Sequence, residues 1–245
     1  MGTELDTELD ASPILELDEV VAGYGRMTIL NGTRFKVARA AITTVVGPNG
    51  AGKSTALKAV FGLLPLEQWY VRFDGAEATG LPPRRLLELG VCYIPQGRNV
   101  FPELSVRHNL ELGGISAPAG FDLQARIDRV MERFPVLRAK ARAQACTLSG
   151  GQQKLLEIAR GLLLDPKLIL VDEPSIGLSP IMVEETFGIL HDLRANGVSI
   201  LMVEQNARSA LRISDYGIVL ELGRTRFEGT ANEVLDRLDR FFHPR

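Results

Sequence analysis

No run of apolar residues in the sequence approaches the ~20 that a membrane-spanning helix needs. The opening stretch MGTELDTELDASP is acidic and has no apolar region of the kind a secretion signal carries. The chain is therefore expected to stay in the cytoplasm and to meet a membrane only through another protein. Excess positive charge is missing too: 28 Lys and Arg stand against 30 Asp and Glu, for a net charge of −2. With no overall basic field to recruit it, no nucleic acid is expected as a partner. Cysteine is scarce. Cys92 lies in the strand-like VCYI and Cys146 just before LSGG, without metal-ligand spacing, and both are read as thiols of a reducing compartment rather than a disulfide. His108, His191 and His243 are scattered and suggest no metal site. What is present is an ordinary globular composition, 45% apolar and 24% charged over 245 residues, enough to bury a full core in one or two domains.

The most informative stretch is GPNGAGKST, Gly47 to Thr55, preceded by the β-branched run Ile42, Thr43, Thr44, Val45 and Val46. Its spacing, G-x-x-x-x-G-K-S, predicts a strand that turns sharply into a helix and cradles phosphate. Gly47, Gly50 and Gly52 lack a Cβ, so the backbone of Gly47, Pro48, Asn49, Gly50, Ala51 and Gly52 can curl and aim successive N–H groups at one anion. The positive end of the helix that follows adds its field. Lys53 is positioned to reach the β- and γ-phosphates, and the Ser54 hydroxyl to ligate Mg²⁺.

Around this loop the chain alternates strand and helix patterns. Two antiparallel strands are predicted before it, from Ile14 to Val21 and from Ile29 to Val37, joined by a turn at Gly23-Tyr24-Gly25. The ring of Tyr24, set between glycines, can stack on a planar ligand such as adenine or pack on the sheet. After a helix from Lys53 to about Gly62, GLLPLEQWY reads as a connection and VRFDG as a short strand. PPRRLLELG is a helix, and VCYIP a buried strand with Gln96 at its carboxyl end, where open sheets place ligands and where an amide can reach a metal or its water. RNVFPELSVRHNLELGG and FDLQARIDRVMERFPVLRAKARAQA then read as charge-rich helices, with apolar spacing at Leu123, Ile127, Val130, Met131 and Phe134.

LSGGQQ follows, opening a predicted helix from Lys154 to Leu164. Ser149 stands at an N-cap position, and Gly150 and Gly151 permit close backbone approach, which makes a second anion site. One nucleotide does not need two such cradles from one chain, so the second is assigned to a nucleotide held by another copy. In LILVDEP the apolar run Leu168 to Val171 reads as a buried strand, parallel and next to the phosphate-loop strand, with Asp172 and Glu173 at its end. Two carboxylates there are costly unless they face a metal and a water. Asp172 is assigned to Mg²⁺ and Glu173 to the attacking water, on opposite sides by strand alternation.

GPNGAGKST, Gln96, LSGGQ and LILVDEP, in this order over about residues 14 to 240, resemble the ATP-binding subunit of an ABC transporter. The resemblance implies an α/β P-loop NTPase fold: a RecA-like core with a mainly parallel sheet, an N-terminal antiparallel β subdomain, and a helical subdomain inserted before the signature. Residues 1–12 would be a tail and 13–245 the ATPase domain, with the helical part at about 97–147. It further implies that Lys53, Ser54 and Thr55 belong to Walker A, Asp172 and Glu173 to Walker B, and Leu148, Ser149, Gly150, Gly151 and Gln152 to the signature. Tyr24 matches the aromatic residue that stacks on adenine, and Gln96 the metal-side Q-loop. Two copies are expected to close head to tail on two ATP molecules and to drive two permease subunits on the cytoplasmic face of the inner membrane, with a periplasmic binding protein as an indirect partner. Two positions depart from the family pattern. Gln205 replaces a catalytic histidine and can hydrogen-bond the γ-phosphate but not carry a proton as imidazole does, and Ser179 replaces an aspartate. PSIGLSP, VEQNARSAL and IPQGRNVFPELSVRHNL are similar to the ATPases of branched-chain amino acid importers and their amide and urea relatives. The ATPase of a related amide or urea importer, or a soluble, non-transport ABC ATPase, is the alternative.

Overall fold

The computed structural model describes residues 13–242, leaving out the side chains at 66–69 and 239–242. The tail expected at 1–12, and His243, lie outside the described residues. A six-stranded sheet carries the chemistry, in the order β10-β9-β3-β8-β7-β6. Its strands are β3 (Ile42–Val46), β6 (Val91–Ile94), β7 (Leu168–Asp172), β8 (Ser199–Val203), β9 (Tyr216–Glu221) and β10 (Arg224–Thr230). All neighbours pair in parallel except β9 and β10. The apolar runs are nearly continuous because both faces are covered, as parallel sheets require. Leu168, Leu170, Leu201 and Val203 face one core, shared with the antiparallel strands, while Ile169, Val171, Ile200 and Met202 face the other, shared with the helices. This period-two division turns one strand into two hydrophobic surfaces.

The order corrects one expectation. The strand ending in Asp172 is not next to the phosphate-loop strand; β8 lies between β7 and β3. Both outer strands place their carboxyl ends toward the same edge, so the acids still approach the loop across the end of β8.

The second sheet, β2-β1-β4-β5, comprises β1 (Leu15–Tyr24), β2 (Met27–Val37), β4 (Leu66–Phe73) and β5 (Ala76–Glu77). Tyr24 is the last residue of β1 rather than the centre of a turn; its hairpin turns at Gly25-Arg26, with Gly25 at φ 58°. β4 is also longer than the predicted VRFDG strand. It starts at Leu66, within the segment expected to be a connection, because Ala22 and Val21 of β1 extend the ladder to Leu66 and Gln68. Trp69 therefore falls inside β4.

Helix α1 (Lys53–Val60) follows the phosphate loop, and α2 (Pro83–Leu89) ends on the left-handed Gly90. Between β6 and β7 come α3 (Val106–Gly113), α4 (Leu123–Arg133), α5 (Pro135–Ala139) and α6 (Gly150–Gly161). Two long predicted helices are thus shorter. Residues 98–104 are irregular, with a turn at Pro102-Glu103, and α3 starts only where the Ser105 hydroxyl accepts from His108 N–H. Pro135 ends α4, because a proline cannot continue the helical hydrogen bonding. On α4 the spaced apolar residues Ile127, Val130 and Met131 are buried as their period predicts. The chain finishes with α7 (Pro180–Ala195), α8 (Ala207–Leu211) and α9 (Ala231–Phe242).

Candidate functional site

The phosphate loop owes its shape to glycine. Gly47, Gly50 and Gly52 have φ of 152°, 79° and 99°, in the region where a side chain strains the backbone. Pro48, Asn49 and Gly50 are exposed at the tip, while Ala51, Gly52 and Thr55 are buried at the base. Lys53, first residue of α1 and only 5% exposed, folds back so that Nζ donates to Gly47 O at 2.9 Å and Pro48 O at 3.1 Å. The ammonium thus sits inside the mouth of the loop. Burial pulls its pKa below the ordinary 10.5, and the carboxylates of Glu173, Asp172 and Glu204 push it back up.

Asp172 ends β7 and is 2% exposed. Its carboxylate accepts from Ser54 Oγ at 2.8 Å and from the Tyr93 hydroxyl at 3.1 Å. Burial, then the charge of Asp172, pushes the Tyr93 hydroxyl pKa upward, so this phenol stays a donor. Glu173 lies beyond the strand with φ 47°, its N–H on Val203 O at 2.9 Å. The two acids therefore separate through a left-handed backbone residue, not through strand alternation as expected. Burial first, and then Asp172 and Glu204, raise the Glu173 pKa above its ordinary 4.5, against an opposing pull from Lys53. Gln96, assigned from the sequence to the metal, points its amide at Glu173 instead: Nε2 donates to Oε2 at 2.8 Å.

Sequence reasoning passed over two groups here. Tyr93 is one; Glu204 is the other, at the end of β8 and 1% exposed. The Glu204 carboxylate accepts from Ser175 N–H at 2.8 Å and Gln205 N–H at 3.1 Å, tying together the two loops that follow β7 and β8. The only available signal was an acid directly after an apolar strand, a pattern shared with many solvated loop residues.

The remaining predicted residues lie around this centre. Tyr24 is 46% exposed, and Lys58 Nζ donates to its hydroxyl at 3.4 Å while standing 5.8 Å from the ring centroid. Gln205 is exposed and held through its backbone, its N–H donating to the Glu204 carboxylate and its carbonyl accepting from Ala207 N–H at 3.1 Å. The signature stretch belongs to the first turn of α6, which starts at Gly150 rather than at Lys154. Ser149 Oγ accepts from Gln152 N–H and the Gln152 side chain accepts from Ser149 N–H, each at 3.3 Å, a capping box. Leu148 is buried beneath it, and a Cβ on Gly151 would stand 2.9 Å from Met182 Cγ. Among the described residues no hydrogen bond or ion pair joins 148–152 to 47–55.

A family model described as ABC transporter matches residues 30–176. The high-affinity branched-chain amino acid transport ATP-binding protein BraG of Pseudomonas aeruginosa is 39% identical over 222 residues, 91% of this chain and 95% of the relative. A probable branched-chain amino acid transport ATP-binding protein, LivF of Archaeoglobus fulgidus, is 41% identical over 88% of this chain and 91% of its own length. Among solved structures, a nucleotide-free ATP-binding cassette from an ABC transporter superposes with a TM-score of 0.85 at 27% identity, covering 95% of this chain and 96% of that one. With this coverage and this loop geometry, the chain belongs to the ABC transporter family as one of its ATP-binding, ATP-hydrolysing cassettes.

Proposed function

We propose that this ATPase powers an importer of branched-chain amino acids, paired head to tail with a second ATPase chain, identical or paralogous. The pair would sit on the cytoplasmic face of the inner membrane beneath two permease subunits supplied by a periplasmic binding protein. The convergence of Lys53, Ser54, Asp172 and Glu173 at the mouth of one glycine loop carries the proposal. The transported class is supported by the similarity to BraG and LivF. Attachment through other chains accords with there being, among the described residues, no helix long and apolar enough to cross a membrane.

In this scheme the N–H groups of Gly47 to Thr55 and Lys53 Nζ bind the phosphates, Lys53 exchanging two carbonyl acceptors for phosphate oxygens. Tyr24 offers its ring to adenine. Glu173 orients the attacking water, and its raised pKa makes it a better base than a solvated glutamate. The Gln205 amide can donate to the γ-phosphate but holds no transferable proton, which leaves Glu173 as the water's partner. Leu148 to Gln152 serve the nucleotide of the partner copy through the N-terminus of α6.

Mg²⁺ fits the donors present. Ser54 and Asp172 offer hard oxygens in mutual contact. A magnesium ion takes few protein oxygens and completes its shell with water and phosphate. When bound it supplies positive charge against the β- and γ-phosphates.

Steady-state ATPase of the full-length chain and of Glu173→Gln tests the proposal. The variant should bind ATP and lose roughly 10²–10⁴-fold in kcat; equal rates would defeat it. Import of labelled leucine by cells lacking this chain tests the cargo, with undiminished uptake counting against it.

A further inference from the structure

Helix α6 presents the signature at its N-terminus, and three of its side chains reach the segment that follows Gln96. Lys154 Nζ donates to Gly97 O at 3.0 Å and to Glu157 Oε2 at 2.6 Å. Glu157 Oε1 accepts from Asn99 N–H at 2.6 Å, and Arg160 Nη2 donates to Asn99 O at 2.8 Å. The Asn99 amide folds the same segment onto itself, donating to Pro95 O at 3.0 Å and Gln96 O at 3.3 Å. The side chains of Lys154 and Glu157 are only 5% and 2% exposed.

An ion pair at this depth is a poor device for stability, since desolvation offsets most of the attraction and an apolar pair would pack as well. Buried Leu156, Ile158 and Ala159 show that the helix holds its place by ordinary packing. The pair's distinctive effect is geometric: with both charges saturated by each other and by the loop backbone, residues 97–99 have one position relative to α6. Gln96 sits at the near end of that segment with its amide on Glu173. At the far end the exposed Phe101 ring lies 5.7 Å from the Arg160 guanidinium.

We propose that the buried Lys154–Glu157 pair is a positioning device that locks Gln96 to the signature helix, so that the amide touching Glu173 and the signature move as one body. The inference rests on Glu173 being the group that orients water. Its consequence is that approach of the signature to a partner's nucleotide resets the Gln96 contact in this chain's own site, linking the two sites without any residue common to both.

The test replaces both charges at once, Lys154→Met with Glu157→Leu, so that neither is left buried and alone. ATP turnover of the full-length chain should lose roughly tenfold in kcat with KM for ATP changed less than about twofold. The unfolding midpoint should stay within about 3 °C of wild type. Lys154→Arg with Glu157→Asp should restore the rate by restoring the pair. In a Gln96→Ala background the apolar pair should cost nothing further, because the contact through which it acts is gone. An unchanged kcat, a loss of the same size in the Gln96→Ala background, or a loss matched by a lowered midpoint would each overturn the proposal. Glu173→Gln is measured alongside. Wild-type turnover in that variant would instead sink the assignment of Glu173, a result separable from failure of the lock.

Discussion

Three glycines of one loop should respond to the same added methyl group in a definite order. In Gly50→Ala the new Cβ meets nothing within 4 Å, so the cost is that of φ 79° alone, about 1–2 kcal/mol. In Gly52→Ala, φ 99° is compounded by a Cβ 2.8 Å from Leu30 Cδ2. Leu30 is fully buried and cannot swing away, so overpacking adds about 1–3 kcal/mol, for roughly 2–5 in all. In Gly47→Ala the Cβ would lie 2.1 Å from Leu220 O, a carbonyl of β9, and relief requires moving a strand hydrogen-bonded on both sides. That cost should exceed about 4 kcal/mol, among the largest for single substitutions. At about 2–4 °C per kcal/mol for a chain of this size, calorimetry should find midpoints lowered by about 2–8 °C for Gly50→Ala and 4–20 °C for Gly52→Ala. Gly47→Ala should be lowered further or fail to fold. Gly50→Asn, which tolerates the left-handed region, should recover most of the Gly50→Ala loss. Equal shifts at the three positions would refute the claim that the loop is shaped by what surrounds each glycine.

Glu173→Gln should raise stability while removing activity. The folded-state pKa of Glu173 lies above 4.5, so the folded chain holds more protons and stability falls as pH rises from 4.5 through the raised value. The variant's advantage in midpoint should be present at neutral pH and vanish below about pH 4.5; an advantage independent of pH would contradict the assigned cause. Asp172→Asn should weaken the magnesium dependence of ATP binding, followed by titrating ATP with and without EDTA, and identical titrations for variant and wild type would remove Asp172 from the metal. Tyr24→Phe should keep ATP affinity and Tyr24→Ala should lose roughly 1–3 kcal/mol of it, the scale of base–aromatic stacking. Equal affinity in both would mean the ring is idle.

The phosphate loop was legible because glycine spacing encodes backbone directly: the positions that must be glycine are those with positive φ. Strand adjacency was not. Motif order says that the strands of Val46 and Asp172 exist, but which strand crosses between them depends on later chain, and β8 took that place. The start of α6 was half legible: Ser149 stands at the N-cap as expected, but Gly150 and Gly151 suggest a loop and delayed the expected helix to Lys154, although Ser149 and Gln152 spell a capping box. Glu204 and the Lys154–Glu157 pair stayed hidden for another reason. A lone acid after a strand and an i,i+3 charge pair on a helix both read as solvated surface, and only tertiary packing, down to 1% exposure at Glu204, reverses that.

Mixing two inactive variants tests the shared-pocket account most directly. Lys53→Ala removes the cradle lysine and Ser149→Arg obstructs the signature, and each purified chain alone should turn over ATP negligibly. In a head-to-tail pair formed from one of each, one pocket combines the intact Lys53 of one copy with the intact Ser149 of the other. The mixture should therefore recover turnover, up to about a quarter of the wild-type rate if pairing is random and one pocket suffices. A mixture as inactive as its components, although shown to pair, would contradict the claim that each nucleotide is held between two copies.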